Sequence, residues 1–310
     1  TQQKFVCVSR PRRFGKSVAA NMLAAYYNQD EDSAELFENL EISRSETYSK
    51  HLNQYDVIKI NMQDFMSMTG SVDEMLAMLC KYLVFDLTDY FTGIRFRDEG
   101  NLIQVMKDIF AGTKRPFIIL IDEWDCVMRE RRESESLQKQ YLDFLRNLLK
   151  DQPYVALAYM TGILPVKKYG QHSALNMFWE YSMTEQFIFE EYTGFTEEEV
   201  KGLCGRYDMD FDAVSNWYDG YSLRKFKHIY NPRSVVAAMR NRILSNYWTS
   251  TETYEALKIY MDMDFDGLRT DIIQMLGGER VEVNTLSFQN DMRSFKTKDD
   301  VLTLLIHLGY

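Results

Sequence analysis

The segment Lys4-Phe5-Val6-Cys7-Val8-Ser9-Arg10-Pro11-Arg12-Arg13-Phe14-Gly15-Lys16-Ser17 restricts what this chain can fold into more than any other. Phe5 to Val8 is a mostly apolar run that reads as a buried strand. A tight basic loop follows and ends in Gly15-Lys16-Ser17, after which Val18 to Tyr27 is a helix-forming run. Strand, loop ending in Gly-Lys-Ser, then helix is the context that a phosphate-binding loop requires. N–H groups at a helix start point at an anion, the helix dipole favours negative charge there, and Gly15 lets the backbone approach closely. On this reading Arg12, Arg13, Phe14, Gly15, Lys16, Ser17 and Val18 cradle a nucleotide. Lys16 reaches its β- and γ-phosphates, and the Ser17 hydroxyl holds Mg²⁺. One position departs from G-x-x-x-x-G-K-[ST]: Arg10 stands where the first glycine belongs. Gly-Lys-Ser alone is common by chance, so the flanking strand and helix carry the inference.

A second stretch completes the same chemistry. Pro116-Phe117-Ile118-Ile119-Leu120-Ile121-Asp122-Glu123-Trp124-Asp125 is a continuous apolar run, as in a parallel strand buried on both faces, ending in adjacent carboxylates. Ligands of open α/β sheets bind beyond the carboxyl ends of strands. Asp122 is therefore expected to hold Mg²⁺ through water, and Glu123 to polarise the attacking water. The plainer alternative is that these acids merely cap the next helix, a role expected for Asp125 ahead of the amphipathic stretch Ser134 to Lys150. Tyr154 to Gly162 reads as a third strand, and Thr161 at its end either senses the γ-phosphate or is simply strand-terminal. Lys167 and Lys168 are candidate phosphate neutralisers, although most surface lysines are only solvated. Asp56 to Met62 alternates as a strand, and Gln186 to Phe189 is expected to supply the last one. A strand between the phosphate loop and the Asp-Glu segment marks the P-loop ATPase class with an additional strand and a catalytic glutamate. Ser71-x-x-Glu74 opens one helix with a capping box, and another is expected over Leu102 to Phe110.

Composition narrows the class further. A 310-residue chain with 45% hydrophobic and 26% charged residues can bury a sizeable core. No apolar run approaches the roughly 20 residues of a membrane span, and no signal peptide precedes the first strand, so a cytoplasmic protein with no membrane partner is expected. Cys7, Cys80, Cys126 and Cys204 lack C-x-x-C spacing and read as reduced thiols, and the four scattered histidines suggest no zinc site. A net charge of −10 argues against general nucleic-acid binding. From Phe195 on, periodic helices dominate. Thr196-x-x-Glu199 caps Glu197 to Tyr207, Phe211 to Tyr218 follows, and Asn231-Pro232 starts a helix over Arg233 to Ile243. Tyr254 to Met261, Phe265 to Leu276 and Lys298 to Leu308 complete the helical part. The aromatic set Trp217, Tyr218, Tyr221, Tyr230, Tyr247 and Trp248 reads as core before it reads as a stacking platform for bases. The absent initiator Met and the stop at Tyr310, just after an apolar helix, suggest a piece of a longer polypeptide.

Taken together, Ser9 to Ser17, Ile121 to Asp125, Met160-Thr161-Gly162-Ile163-Leu164-Pro165, Gly194-Phe195-Thr196, Trp217 to Tyr221 and Tyr230-Asn231-Pro232 resemble the bacterial AAA-ATPase-like family. The resemblance implies that Arg10 belongs to the family's own phosphate loop, and that ATP and Mg²⁺ are its ligands. It also implies fusion, in many members, to a PD-(D/E)-x-K nuclease-like domain, so further domains of one longer chain are expected partners. Arg233, where relatives tend to carry an aromatic residue after Asn-Pro, departs from the pattern. The expected architecture is α/β: a P-loop NTPase core over residues 1–193, with a parallel sheet flanked by helices. A mainly helical lid over 194–310 follows, running into the start of a winged-helix-like region. Mg²⁺-dependent ATP hydrolysis is the leading reading. A nucleotide-binding switch or scaffold with negligible turnover, and the ATPase part of a nucleic-acid-processing protein, stand beside it. Oligomerisation is left open.

Overall fold

A computed structural model describes residues 3–131, 134–166, 174–185, 189–247, 265–288, 295 and 297–310. The chain divides into two compact units. The first comprises Thr1–Val8, Ser17–Gly162 and Val166–Glu180, the second Ser9–Lys16, Ile163–Pro165 and Tyr181–Tyr310.

The first unit is organised by a parallel sheet. Strands β1 (Phe5–Ser9), β2 (Asp56–Asn61), β3 (Phe117–Asp122), β4 (Val155–Gly162) and β5 (Trp179–Tyr181) run in the order β2-β3-β4-β1-β5. The register pairs Asp56 with Phe117 through Asn61 with Asp122, and Ile118 with Leu157 through Ile121 with Met160. All six residues of β3 are buried, as its unbroken apolar run demands. The helices are α1 (Lys16–Tyr27), α2 (Ala34–Phe37), α3 (Tyr48–His51), α4 (Met62–Met68), α5 (Val72–Tyr90), α6 (Leu102–Thr113), α7 (Cys126–Glu130) and α8 (Glu135–Leu149). Their starts follow local chemistry. Ser71 caps α5 by accepting from Glu74 N, while the Glu74 carboxylate takes Gly70 N rather than closing the reciprocal box. Strand β4 lies between β1 and β3, the arrangement of P-loop NTPases with an additional strand.

The second unit holds a small sheet of β6 (Phe195–Thr196), β7 (Asp219–Tyr221) and β8 (Ile229–Tyr230), antiparallel in the order β6-β8-β7. Around it lie α9 (Glu197–Tyr207), α10 (Phe211–Tyr218), α11 (Pro232–Asn241), α12 (Leu268–Leu276) and α13 (Lys298–Leu308). Thr196 and Glu199 form the full capping box expected for α9. Val200, Cys204, Val214, Tyr218, Tyr230, Val235, Ala238 and Met239 make one core cluster, so Tyr218 and Tyr230 are core residues.

Two expectations change. The fifth strand of the main sheet comes from Trp179–Tyr181, a three-residue edge that includes a charged residue and so carries no alternation signal. The segment Gln186 to Ile188, expected to supply it, lies outside the described residues, as do the expected helix Tyr254 to Met261 and Trp248. Asp125 does sit at the N-cap of α7, but its side chain makes no capping hydrogen bond there; it pairs with Arg129 instead.

Candidate nucleotide site

The loop between β1 and α1 has a backbone suited to an anion. Arg13 has φ +70° and Gly15 φ +86°, while Phe14 and Lys16 keep negative φ. Alternating signs of φ over successive residues turn the N–H groups toward one concavity, the nest geometry of phosphate loops. A side chain at position 15 would meet open space, so the glycine answers to its backbone angle rather than to crowding. Lys16 opens α1 and is 5% exposed. Its ammonium donates to Arg10 O at 3.0 Å and Pro11 O at 2.9 Å, arching back over the loop. The first turn of α1 carries no acidic residue to compete with a phosphate.

The loop is buttressed from within the second unit. Phe14 is buried, packs with Met183, Leu223 and Ile229, and meets Tyr221 edge to face at 4.9 Å. Its side chain is thus an anchor, and only its backbone faces the loop's task. Arg10 is fully buried and donates from Nη1 to Ser9 O at 3.0 Å and Tyr181 O at 2.9 Å. Ser9 Oγ donates to Leu164 O at 3.0 Å, and Asn231 Nδ2 to Arg12 O at 3.4 Å. Arg12 is exposed and Arg13 half-buried, with Arg13 Nη1 donating to Tyr247 O at 3.0 Å. Burial first, then the charges of Arg233 and Arg12, lower the Arg13 pKa. Ser17 and Val18, both exposed, continue α1 into the first unit.

Within the first unit, the ends of β3 and β4 are laced together. Asp122 Oδ1 accepts from Glu123 N at 3.0 Å and from Thr161 Oγ1 in a short hydrogen bond. Trp124 N donates to Thr161 O at 3.0 Å, and Tyr141 OH to Trp124 O at 2.6 Å. Asp122 is 4% exposed and Thr161 fully buried, so the threonine hydroxyl orients the carboxylate. Gly162 is required by close approach: a Cβ there would fall 2.7 Å from Trp124 Nε1 and 2.9 Å from Asp125 Oδ1. Glu123 stands at φ +53°, a region that non-glycine residues rarely occupy and that costs about 1–3 kcal/mol. Its carboxylate is ion-paired with Arg129, whose Nε also lies 3.3 Å from Asp125 Oδ2. Burial opposes the Arg129 charge, but Asp125 and Glu123 together raise its pKa.

The donor set suits Mg²⁺, which takes hard oxygen ligands. Both donors that Asp122 accepts among the described residues land on Oδ1, leaving Oδ2 as the oxygen with capacity for a metal-held water. No cluster of three or more His, Cys, Asp or Glu residues suited to a metal occurs among the described residues. No helix among them is long and apolar enough to cross a membrane. Lys167 and Lys168 lie outside the described residues. Sequence reasoning missed Arg129, Tyr141 and the buried role of Arg10; an arginine four residues after a buried Asp, on a helix, was the available signal for the first.

The chain is similar to several known proteins. The profile of a family described as predicted AAA-ATPase matches residues 1–171. An uncharacterized protein of the vnfD 5′ region of Azotobacter chroococcum mcd 1 is 27% identical over 257 residues, covering 79% of this chain and 47% of the relative. This chain thus spans about half the length of that relative. Among solved structures, the Walker-type ATPase PABY2304 of Pyrococcus abyssi superposes with a TM-score of 0.41 at 14% identity, over 89% of this chain and 71% of that one. The Orc1 protein of Aeropyrum pernix, solved in complex with DNA, gives 0.32 at 13% identity, over 84% and 60%.

Proposed function

This chain belongs to the predicted AAA-ATPase family, and from that premise we propose that it binds ATP with Mg²⁺ and hydrolyses the γ-phosphate bond. The observation that carries this reading is the sheet order, with a phosphate loop after β1, the Asp122-Glu123 pair at the end of β3, and one strand, β4, between β1 and β3. The loop N–H groups and Lys16 take the phosphates, with the Lys16 ammonium leaving the carbonyls of Arg10 and Pro11 for phosphate oxygens. Ser17 and, through water, Asp122 would hold Mg²⁺, which when bound would neutralise phosphate charge. Thr161 fixes Asp122, and Glu123 orients and deprotonates the attacking water. We place this module in a larger chain whose further domains respond to the nucleotide.

The test is a melting experiment. A ligand that binds only the folded state, at about 100 times its dissociation constant, adds about 2.7 kcal/mol. Mg-ATP should raise the melting temperature by a few degrees, and Lys16→Ala should abolish that rise. Because Lys16 also donates to two loop carbonyls, the ligand-free melting point of the variant is expected to drop; the readout is the ligand-induced difference. An unchanged rise in the variant would put the nucleotide elsewhere.

A second reading has its own observation. Glu123 is paired with Arg129, and a chain that keeps this pair when loaded would bind ATP and turn it over negligibly, as a switch. Phosphate release by Arg129→Gln separates the two. Faster release than wild type favours the held-glutamate switch, whereas an unchanged or slower rate favours an ordinary hydrolase.

A further inference from the structure

Within the first unit, helix α8 turns an apolar face inward through Tyr141, Leu142, Leu145, Leu148 and Leu149. The Tyr141 hydroxyl is the one polar group among those side chains, and the residue is fully buried. It donates to Trp124 O at 2.6 Å, 17 residues back in the chain. That carbonyl belongs to the turn that carries Glu123. The turn is closed by Cys126 N donating to Glu123 O at 3.1 Å, and Glu123 stands in it at φ +53°. A non-glycine residue keeps such a backbone only where its neighbours over-determine it. Three hydrogen bonds do so here. Glu123 N donates to Asp122 Oδ1 at 3.0 Å, Trp124 N donates to Thr161 O at 3.0 Å, and Trp124 O accepts from Tyr141. The first two tie the turn to the ends of β3 and β4, and the third alone comes from outside the sheet. Burial first, then Cys126 and Asp125, push the Tyr141 pKa well above its ordinary value against the opposing charge of Arg129. The hydroxyl therefore stays a donor.

We propose that Tyr141 is a positioning residue for Glu123: by holding the Trp124 carbonyl it keeps the left-handed turn closed and the Glu123 carboxylate aimed at the water that attacks the γ-phosphate. The proposal rests on the reading of Glu123 as the base and names what sets its aim. Without the hydroxyl, Trp124 O loses its donor and the turn is free to relax toward an ordinary negative φ at Glu123, which swings the carboxylate away. The nucleotide and metal contacts assigned to Lys16, Ser17 and Asp122 do not pass through this carbonyl. Turnover therefore depends on Tyr141 and affinity does not. Tyr154 supplies a matched comparison within the same unit. It is equally buried, and its OH donates to a backbone carbonyl at 2.7 Å, but that carbonyl is Leu148 O in the last turn of α8 rather than one in the Glu123 turn.

The experiment measures phosphate release and the dissociation constant for Mg-ATP on the intact chain, in wild type, Tyr141→Phe, Tyr154→Phe, Glu123→Gln and the double variant Tyr141→Phe/Glu123→Gln. Each tyrosine variant removes one buried hydroxyl and leaves one carbonyl without its donor, so their melting temperatures should fall by similar amounts. Tyr141→Phe should lower kcat by about tenfold to a hundredfold, the loss expected when a reacting group is displaced by a fraction of an ångström to about 1 Å. Its dissociation constant for Mg-ATP should stay at the wild-type value, and Tyr154→Phe should keep the wild-type kcat. In the double variant, Tyr141→Phe should add no loss to that of Glu123→Gln, because aiming a side chain that is no longer a base changes nothing. A wild-type kcat in Tyr141→Phe, with Glu123→Gln slowed, overturns the proposal and leaves the reading of Glu123 intact. Equal losses of kcat in the two tyrosine variants overturn it in favour of general loosening of the core. Weaker Mg-ATP binding in proportion to the lost turnover overturns it in favour of a role in binding. A full additional loss in the double variant shows that Tyr141 does not act through Glu123 and overturns it as well. Wild-type turnover in Glu123→Gln, or no phosphate release by the wild type, overturns both the proposal and the reading beneath it.

Discussion

Arg10 occupies the place where phosphate loops begin with glycine, and its guanidinium is fully buried against the carbonyls of Ser9 and Tyr181. Burying a guanidinium costs several kcal/mol unless its donors find acceptors, so the substitution is tolerable only with those carbonyls in place. Its charge also acts on His307 of α13, which is 1% exposed. Burial first, and Arg10 second, bring the His307 pKa down to about 3 from an ordinary 6.5. The folded chain therefore stays neutral at His307 while the unfolded chain takes up a proton as pH falls below 6.5. Stability from this residue is complete above pH 6.5 and is lost as pH falls toward 3. Denaturant unfolding at about pH 7.5 and about pH 5 should show wild type losing more stability than His307→Leu, by at most about 1.4 kcal/mol for each pH unit below 6.5. Equal losses in the two proteins would contradict this placement.

At the scale of elements, the ends of β3 and β4 form one packed corner in which Gly162 lies against Trp124 and Asp125. Gly162→Ala has no room to relax, because the opposing groups are a buried indole and a buried carboxylate already paired with Arg129. Overpacking of this kind costs about 1–3 kcal/mol, and the midpoint of denaturant unfolding should move with the slope unchanged. A midpoint within error of wild type would show that the corner gives way. Much of this architecture was legible beforehand. Asp122 at the end of an unbroken apolar run and the caps Ser71, Thr196 and Asn231 follow from period and local hydrogen-bond chemistry. What was hidden is nonlocal. The sheet β6-β8-β7 is built of strands two or three residues long, too short for any alternation to register. The Glu123–Arg129 pair depends on a left-handed turn at Glu123 that no pattern of residue types announces. Phe14 looked like part of the ligand cradle, yet its ring belongs to a core cluster assembled from residues about 170 to 290 positions away in sequence.

At the scale of the whole molecule, a chain of net charge −10 concentrates Arg10, Arg12, Arg13 and Lys16 within seven residues. Overall charge works against broad association with nucleic acid, while this local group creates one place where an anion is welcome. The match to its relative spans about half of that protein's length. Whether the chain turns ATP over rests on Glu123. Glu123→Gln keeps size and hydrogen bonding but removes the base, whereas Asp122→Asn alters the carboxylate that meets the metal. Dissociation constants for a fluorescent ATP analogue and phosphate release, measured on the same samples, separate binding from chemistry. The account predicts that Glu123→Gln lowers turnover by on the order of 10²–10⁴ with ATP affinity nearly unchanged, and that Asp122→Asn weakens both. Hydrolysis at the wild-type rate in Glu123→Gln would contradict it.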